Sequence, residues 1–451
     1  MKCTEIRAAM LVIFAVLMSF AAGVTDSVSA QTPRESVIVI INARVIDGTG
    51  APARADQTIV IRGKHISSIT PGGGVPPGAR VFDAKGMSVL PGIVAMHDHL
   101  QDPYQDSRMY LAHGVTTVRV AGTAEPYTAL NLRRWISELG ILPGPELFVA
   151  SPWLNRHTPE MMRGPFIMTK HVRDAEDARR AVRYWAAEGV TAIKVYAGIT
   201  PDLMTAIIDE ARKNKLPVLG HLKLTSCTEA AKAGIAFIEH GFRDGCLSDL
   251  RDAGGKATRD PHNPLVATLI KTLISAGTAV TETPVDKSPF SASQIALLHA
   301  GARAEYLERM QKGNTGLGVV PTNTAQGTPG LTAAFAAAGG LVVLGADGST
   351  RTFRLPGIAN LRAVRLMYTE FGFTQLESIR IATLNGARGL KIADRTGSVA
   401  VGKEADLLIV RGDPSTNIHD IQNVEMVFSD GLMYKPDELL APVKGNLGWR
   451  R

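Results

Sequence analysis

From Leu90 to about Leu390 the chain alternates short apolar runs with helix-length segments, and this alternation constrains the fold more than any other feature. The apolar runs lie near 93–98, 116–121, 146–151, 192–196, 217–221, 236–240, 278–283 and 341–347. Segments with helical patterning lie between them, among them 126–139, 175–188, 202–214 and 329–338. Eight such βα units in succession imply an α/β fold with parallel strands, and closure into a (β/α)8 TIM barrel is its expected end state. Two connections, 152–174 and 241–262, are long for such units, and long loops on this scaffold tend to carry function.

The ends of the chain differ in texture. Residues 37–46, 58–62 and 66–69 are short β-branched runs separated by Gly-containing turns. Strand character returns in ADLLIVRGD and VEMVFSDGLMY beyond Val399. These pieces predict one small composite β-sandwich domain, with residues 36–90 and 391–440 flanking a barrel over 91–390. No sequence repeat or low-complexity tract interrupts this plan.

The first 30 residues read differently again. Lys2 and Arg7 precede an uncharged stretch from Ala8 to Val24, followed by Val28-Ser29-Ala30. That is the layout of a secretory signal peptide cleaved after Ala30. The run is short of the ~20 residues preferred by a spanning helix. The expectation is therefore an exported, periplasmic or secreted protein without stable membrane insertion. Net charge is +7, with 49 basic and 42 acidic residues. The basic residues are scattered, as on a solvated surface and unlike a nucleic-acid interface. After cleavage two cysteines remain, Cys227 and Cys246. Two buried free thiols are expected, with a bridge between neighbouring loops as the alternative.

Candidate chemistry collects at the ends of the apolar runs. His97 and His99 in PGIVAMHDHL are two apart on a strand and share a face. Lys194 lies inside the apolar VTAIKVYAG, where an unpartnered lysine is rare. It either snorkels to solvent, forms a Schiff base, or ligates metal after its amine is converted to a carbamate, since ligands must be deprotonated. His221 in LPVLGHLK and His240 in IAFIEHG end successive strands. Asp347 in LVVLGADGS ends the last. Strand tips converge in a barrel, and four imidazoles, a lysine and a carboxylate on one rim call for cations. Imidazole with oxygen donors suits Zn²⁺, and also Mn²⁺ or Co²⁺.

The ordered set HDH after PG, the strand-four Lys in IKVY, GH, EHG and ADG resembles the amidohydrolase superfamily. GVTTVR, TLNGARGL and GSVAVGKEADLLIV strengthen the likeness, which spans about residues 36–435. Within it the chain is similar to the branch of prolidase-like Xaa-Pro dipeptidases, ochratoxinase and imidazolonepropionase. The resemblance implies two divalent ions. His97, His99 and Asp347 would hold the more buried one, and carbamylated Lys194 would bridge to a second held by His221 and His240. Ala95 and Val120 replace aspartates usual in the family, and neither is a ligand position.

The activity implied is hydrolysis of an amide C–N bond in a dipeptide or N-acyl amino acid. A hydroxide between two cations is a nucleophile at neutral pH, and Asp347 would pass its proton to the leaving amine. Tyr196, on the inward face with Lys194, is an oxyanion or carboxylate donor, or a packing tyrosine. His157, in the loop after strand three, reaches the substrate or stays at the surface. Arg119 and Arg351 recognise a carboxylate or serve as structural ion-pair partners. His113 lies at the opposite barrel end. The alternatives are a lactonase, a cyclic amide or imidazolone hydrolase or a deaminase on the same scaffold, and a non-catalytic scaffold. The family often forms homo-oligomers.

Overall fold

Each apolar run of the central region forms a strand in a computed structural model, which describes residues 37–123, 125–156, 170–312 and 328–448. The predicted signal peptide, residues 1–30, and His157 lie outside the described residues. The strands, in chain order, are β1 (Val37–Val45), β2 (Arg54–Arg62), β3 (His65–Pro71), β4 (Arg80–Asp83) and β5 (Met87–Pro91). Then come β6 (Ile93–Asp98), β7 (Val115–Val120), β8 (Glu146–Val149), β9 (Leu154–Asn155) and β10 (Lys170–His171). β11 (Ile193–Val195), β12 (Val218–Gly220), β13 (Phe237–Glu239), β14 (Ala279–Glu282) and β15 (Val342–Leu344) follow. The chain closes on β16 (Leu407–Arg411), β17 (Val424–Ser429) and β18 (Leu432–Tyr434).

The central strands form two parallel sheets, β6-β7-β8 and β10-β9-β11-β12-β13-β14-β15, in a mixed α/β fold. Parallel bridges Ala150–Ala192 and Asp98–Gly348 link β8 toward β11, and β6 toward the turn after β15. The helices Ala175–Ala187 and Pro201–Lys213 are amphipathic. Ala178, Ala181, Val182 and Trp185 form the buried stripe of the helix Ala175–Ala187 at i, i+3, i+4, i+7 spacing. The composite β-unit is one eight-stranded sheet with members from both chain ends, in the order β18-β17-β16-β5-β1-β2-β3, and β4 on β1. Ile40, Ile59, Val89, Leu407 and Phe428 share its core. A bridge between His65 and Glu404 ties β3 back to the approach to β16.

One expectation is corrected. Cys227 and Cys246 form a disulfide, with Cα atoms 4.7 Å apart, and not two free thiols. β12 and β13 are paired neighbours, so the loops that follow them run side by side. Gly245 donates its N–H to the Leu222 carbonyl at 3.0 Å. A Cβ at Gly245 would lie 2.5 Å from the Thr225 carbonyl oxygen. Glycine therefore lets the two loops touch, and that separation is invisible in residue spacing. The bond spans a separation of 19 residues that includes His240, so loop-closure entropy assigns it about 3 kcal/mol. Cys227→Ala/Cys246→Ala is expected to melt several degrees below the oxidised protein. Equal melting points for the two proteins would remove this role.

Candidate metal centre

His97 and His99 reach one face through a departure from strand alternation. Val94 and Met96 pack into the inner apolar cluster, while Ala95 joins the outer one. Strict alternation would then turn His97 outward. The pairing of β6 with β7 shifts register between Ala95 and Asp98, and this irregularity brings His97 inward. His97 is 1% exposed. The last strand is clasped against it: the Asp347 N–H donates to the His97 carbonyl at 2.8 Å, and the His99 N–H to the Gly348 carbonyl at 3.0 Å. A Cβ at Gly345 would lie 2.6 Å from His97 backbone atoms, so only glycine permits this approach. Asp98 accepts from the Gly348 N–H at 2.5 Å and from Asn360 Nδ2 at 2.7 Å. Burial lifts the Asp98 carboxyl to about 7, against the opposing effect of those donors.

The outward Nδ1 atoms of His97, His99 and His240 are each engaged. His97 Nδ1 meets the Glu239 carboxylate. His99 Nδ1 lies 2.8 Å from the Gly122 carbonyl, which can only accept. His240 Nδ1 lies 2.9 Å from Thr283 Oγ1. Asp347 Oδ1 lies 3.1 Å from His99 Nε2 and 3.8 Å from His97 Nε2. Ligand atoms of these three residues all fall within 4.8 Å of one another. Burial drives the His97 imidazole down to about 3, Lys194 adding to the effect. Burial pushes the Asp347 carboxyl upward, but Arg354 and the His99 hydrogen bond hold it well below the usual carboxylate range. Arg354 Nη1 donates to Asp347 Oδ2 at 2.5 Å. A neutral His97 with its proton on Nδ1 thus turns an Nε2 lone pair toward an ionised carboxylate oxygen. Such a set fits a cation, with the Glu239 carboxylate and the Gly122 carbonyl fixing the His97 and His99 rings from behind.

The remaining predicted residues extend this cluster. Ring centroids run from His99 to His97 at 5.3 Å, His97 to His240 at 4.5 Å, His240 to His221 at 4.6 Å, and His221 to Tyr196 at 4.8 Å. His240 follows β13 with φ +68°. Lys194, in the middle of β11, is 1% exposed, and its Nζ has no hydrogen-bond partner among the described residues. Burial lowers its ammonium to about 8, although Glu239 opposes that shift. Burial lifts the Tyr196 hydroxyl to about 12. Trp153 stands 5.4 Å from the His99 ring.

Arg119 forms a structural ion pair: its Nη2 donates to Glu239 Oε1 at 2.7 Å, and its Nε to the Met96 carbonyl at 2.5 Å. His113 Nδ1 donates to the Met109 carbonyl at 2.7 Å, at the start of β7 and away from the cluster. The Arg351 side chain lies outside the described residues. Sequence reasoning missed Glu239, Arg354, Thr283 and Asp244, whose Oδ2 is 3.4 Å from His221 Nε2. For Glu239 a signal existed, an acid inside an otherwise apolar strand.

The amidohydrolase family model matches residues 88–433. The chain belongs to the amidohydrolase family. It is 31% identical over 127 residues to an N-acyl-D-aspartate deacylase of Alcaligenes xylosoxydans xylosoxydans, covering 26% of this chain and 24% of that protein. It is 42% identical over 66 residues to a dihydroorotase of Solibacter usitatus, 15% of each chain. The chain thus spans about a quarter or less of these curated relatives. Among solved structures, a candidate prolidase from Bifidobacterium longum superimposes with a TM-score of 0.69 at 22% identity, over 91% of this chain and 100% of that one. A. niger ochratoxinase gives 0.63 at 18% identity, over 89% and 96%. These likenesses are of fold.

Proposed function

We propose that this chain is a metal-dependent hydrolase of an amide C–N bond, acting on a dipeptide or N-acyl amino acid. On this reading its two parallel sheets are parts of one (β/α)8 barrel, and the eight-stranded sheet corresponds to the family's small β-sandwich. The observation that carries it is the Asp347 carboxylate facing the Nε2 atoms of His97 and His99, whose Nδ1 atoms are engaged elsewhere. The Nζ of Lys194, without a hydrogen-bond partner among the described residues, supports a second ion. Its lowered ammonium pKa makes a neutral amine available for carbamate formation. His97, His99 and Asp347 would hold one Zn²⁺-type ion, and carbamylated Lys194 with His221 and His240 another.

Such ions, when bound, supply Lewis acidity and water of lowered pKa. The protein's own groups do the rest. The Asp347 carboxylate carries the proton from attacking water to the leaving nitrogen. Tyr196, protonated at neutral pH, donates to the substrate carbonyl oxygen as charge develops. His157 is assigned to substrate binding on the same reading. The identities of the aligned relatives support amide hydrolysis, and the disulfide supports export to an oxidising compartment. Homo-oligomer formation belongs to the same proposal.

Elemental analysis of wild type and Lys194→Ala tests the centre without any substrate. Two metals per chain, with a loss in the variant, are expected. Xaa-Pro dipeptides and N-acyl amino acids then define the substrate. One metal irrespective of Lys194 would move the reading to a mononuclear deaminase or imidazolone hydrolase. No metal in either protein, even after reconstitution, would end the metal-centre proposal.

A further inference from the structure

A second cavity, of about 570 Å³, lies at the other end of the parallel strands from the candidate metal centre. Its wall takes in Ala192, Pro217 and Ala236, which immediately precede β11, β12 and β13, whereas His221 and His240 follow β12 and β13. Its size falls within the ~300–1,000 Å³ typical of small-molecule sites. The lining is markedly one-signed. Arg119, Arg212, Lys215 and Lys391 line it and none of its described lining residues is Asp or Glu; Arg119 is paired with Glu239 and Arg212 with Asp209, so Lys215 and Lys391 carry the unbalanced positive charge. The rest of the wall is largely apolar, including Phe148, Phe237, Leu216 and Leu390.

Arg119 makes this more than a basic surface. It is 2% exposed. Its guanidinium carbon stands 4.2 Å from the centre of the Phe237 ring, which also lines the cavity. Nε and Nη2 are bonded, but Nη1 is buried without a hydrogen-bond partner among the described residues. Arg119 thus stands in the cavity wall as a buried cation beside Phe237. Lys215 and Lys391 are exposed, so positive charge also marks the approach.

We propose that this cavity binds a small organic carboxylate with an apolar body. A carboxylate complements the positive charge of Lys215 and Lys391 at the approach, and the aromatic and aliphatic walls take the hydrocarbon part. The inference does not rest on the metal-centre reading. The site is nonetheless connected to it, because the same guanidinium holds Glu239, which holds His97.

Calorimetric titration of the metal-replete protein with octanoate tests this. Saturable binding is expected, with octylammonium failing to bind. Asp347→Asn keeps the octanoate affinity, which separates this site from carboxylate binding at the metal centre. Ala236→Phe fills the cavity and abolishes binding. Lys215→Glu/Lys391→Glu, on the surface and tolerable to the fold, weakens it roughly fivefold or more. Absence of saturable octanoate binding overturns the proposal. So does an affinity unchanged in the double charge reversal, or one retained in folded Ala236→Phe and lost in Asp347→Asn.

Discussion

Asp347→Asn is expected to lower kcat for amide hydrolysis by roughly 10³-fold, within the ~10²–10⁴ that a positioned general base contributes, while KM changes little. The substitution is close to isosteric. Asp347 sits at φ +50°, a conformation that asparagine also tolerates, so the turn after β15 persists. What disappears is the charge. The neutral amide cannot accept a proton from water at neutral pH, and Arg354 loses its ionic partner at 2.5 Å. Activity is to be compared at matched metal content, because the same carboxylate faces the Nε2 atoms of His97 and His99. A variant with full metal and kcat within threefold of wild type would remove Asp347 from proton transfer. Reduced metal with proportionate activity would make it a ligand only.

The site was legible where the strands keep their alternation. Lys194 and Arg119 each point inward between outward-facing apolar neighbours, Ile193 and Val195 for one, Val118 and Val120 for the other. Asp347 keeps the parity of Val343 and Gly345. His97 and His240 break it. In β13, Phe237 packs with the inner cluster and Ile238 with the outer, so inward Glu239 keeps parity and His240 would face out. Its backbone at φ +68° turns the imidazole back. Two adjacent residues, Glu239 and His240, therefore both serve the centre, and period-two reasoning admits only one. The carboxylate was overlooked because its partners, His97 and Arg119, come from strands 142 and 120 residues away. The disulfide was hidden for a related reason. It depends on the pairing of β12 with β13 and on one glycine contact, neither of which spacing encodes. Element positions, by contrast, follow from local texture, and the predicted barrel strands match β6, β7, β8 and β11–β15 to within a few residues at each end.

Glu239→Gln is expected to be the most destabilising conservative change near the centre. Glu239 is buried and receives the Arg119 guanidinium and His97 Nδ1. Arg119 and His97 are themselves 2% and 1% exposed. Removing the carboxylate charge leaves a buried guanidinium facing a neutral amide, a situation that costs roughly 3–5 kcal/mol. Metal affinity should fall ~10–100-fold as the imidazole loses its orienting partner. The pH dependence gives a sharper signature. Burial pushes the Glu239 carboxyl up, but Arg119, His97 and Lys194 outweigh it and hold the group at about 2. A depressed carboxylate contributes stability that is complete above its unfolded pKa of ~4.3 and is lost as pH falls toward about 2. The gap in unfolding free energy between wild type and Glu239→Gln should be widest at neutral pH and close across that acidic window. Urea unfolding of the two proteins from pH 7 to pH 2.5 measures it. A gap that stays constant over that range would mean that the Glu239 charge is not what holds Arg119 and His97 in place.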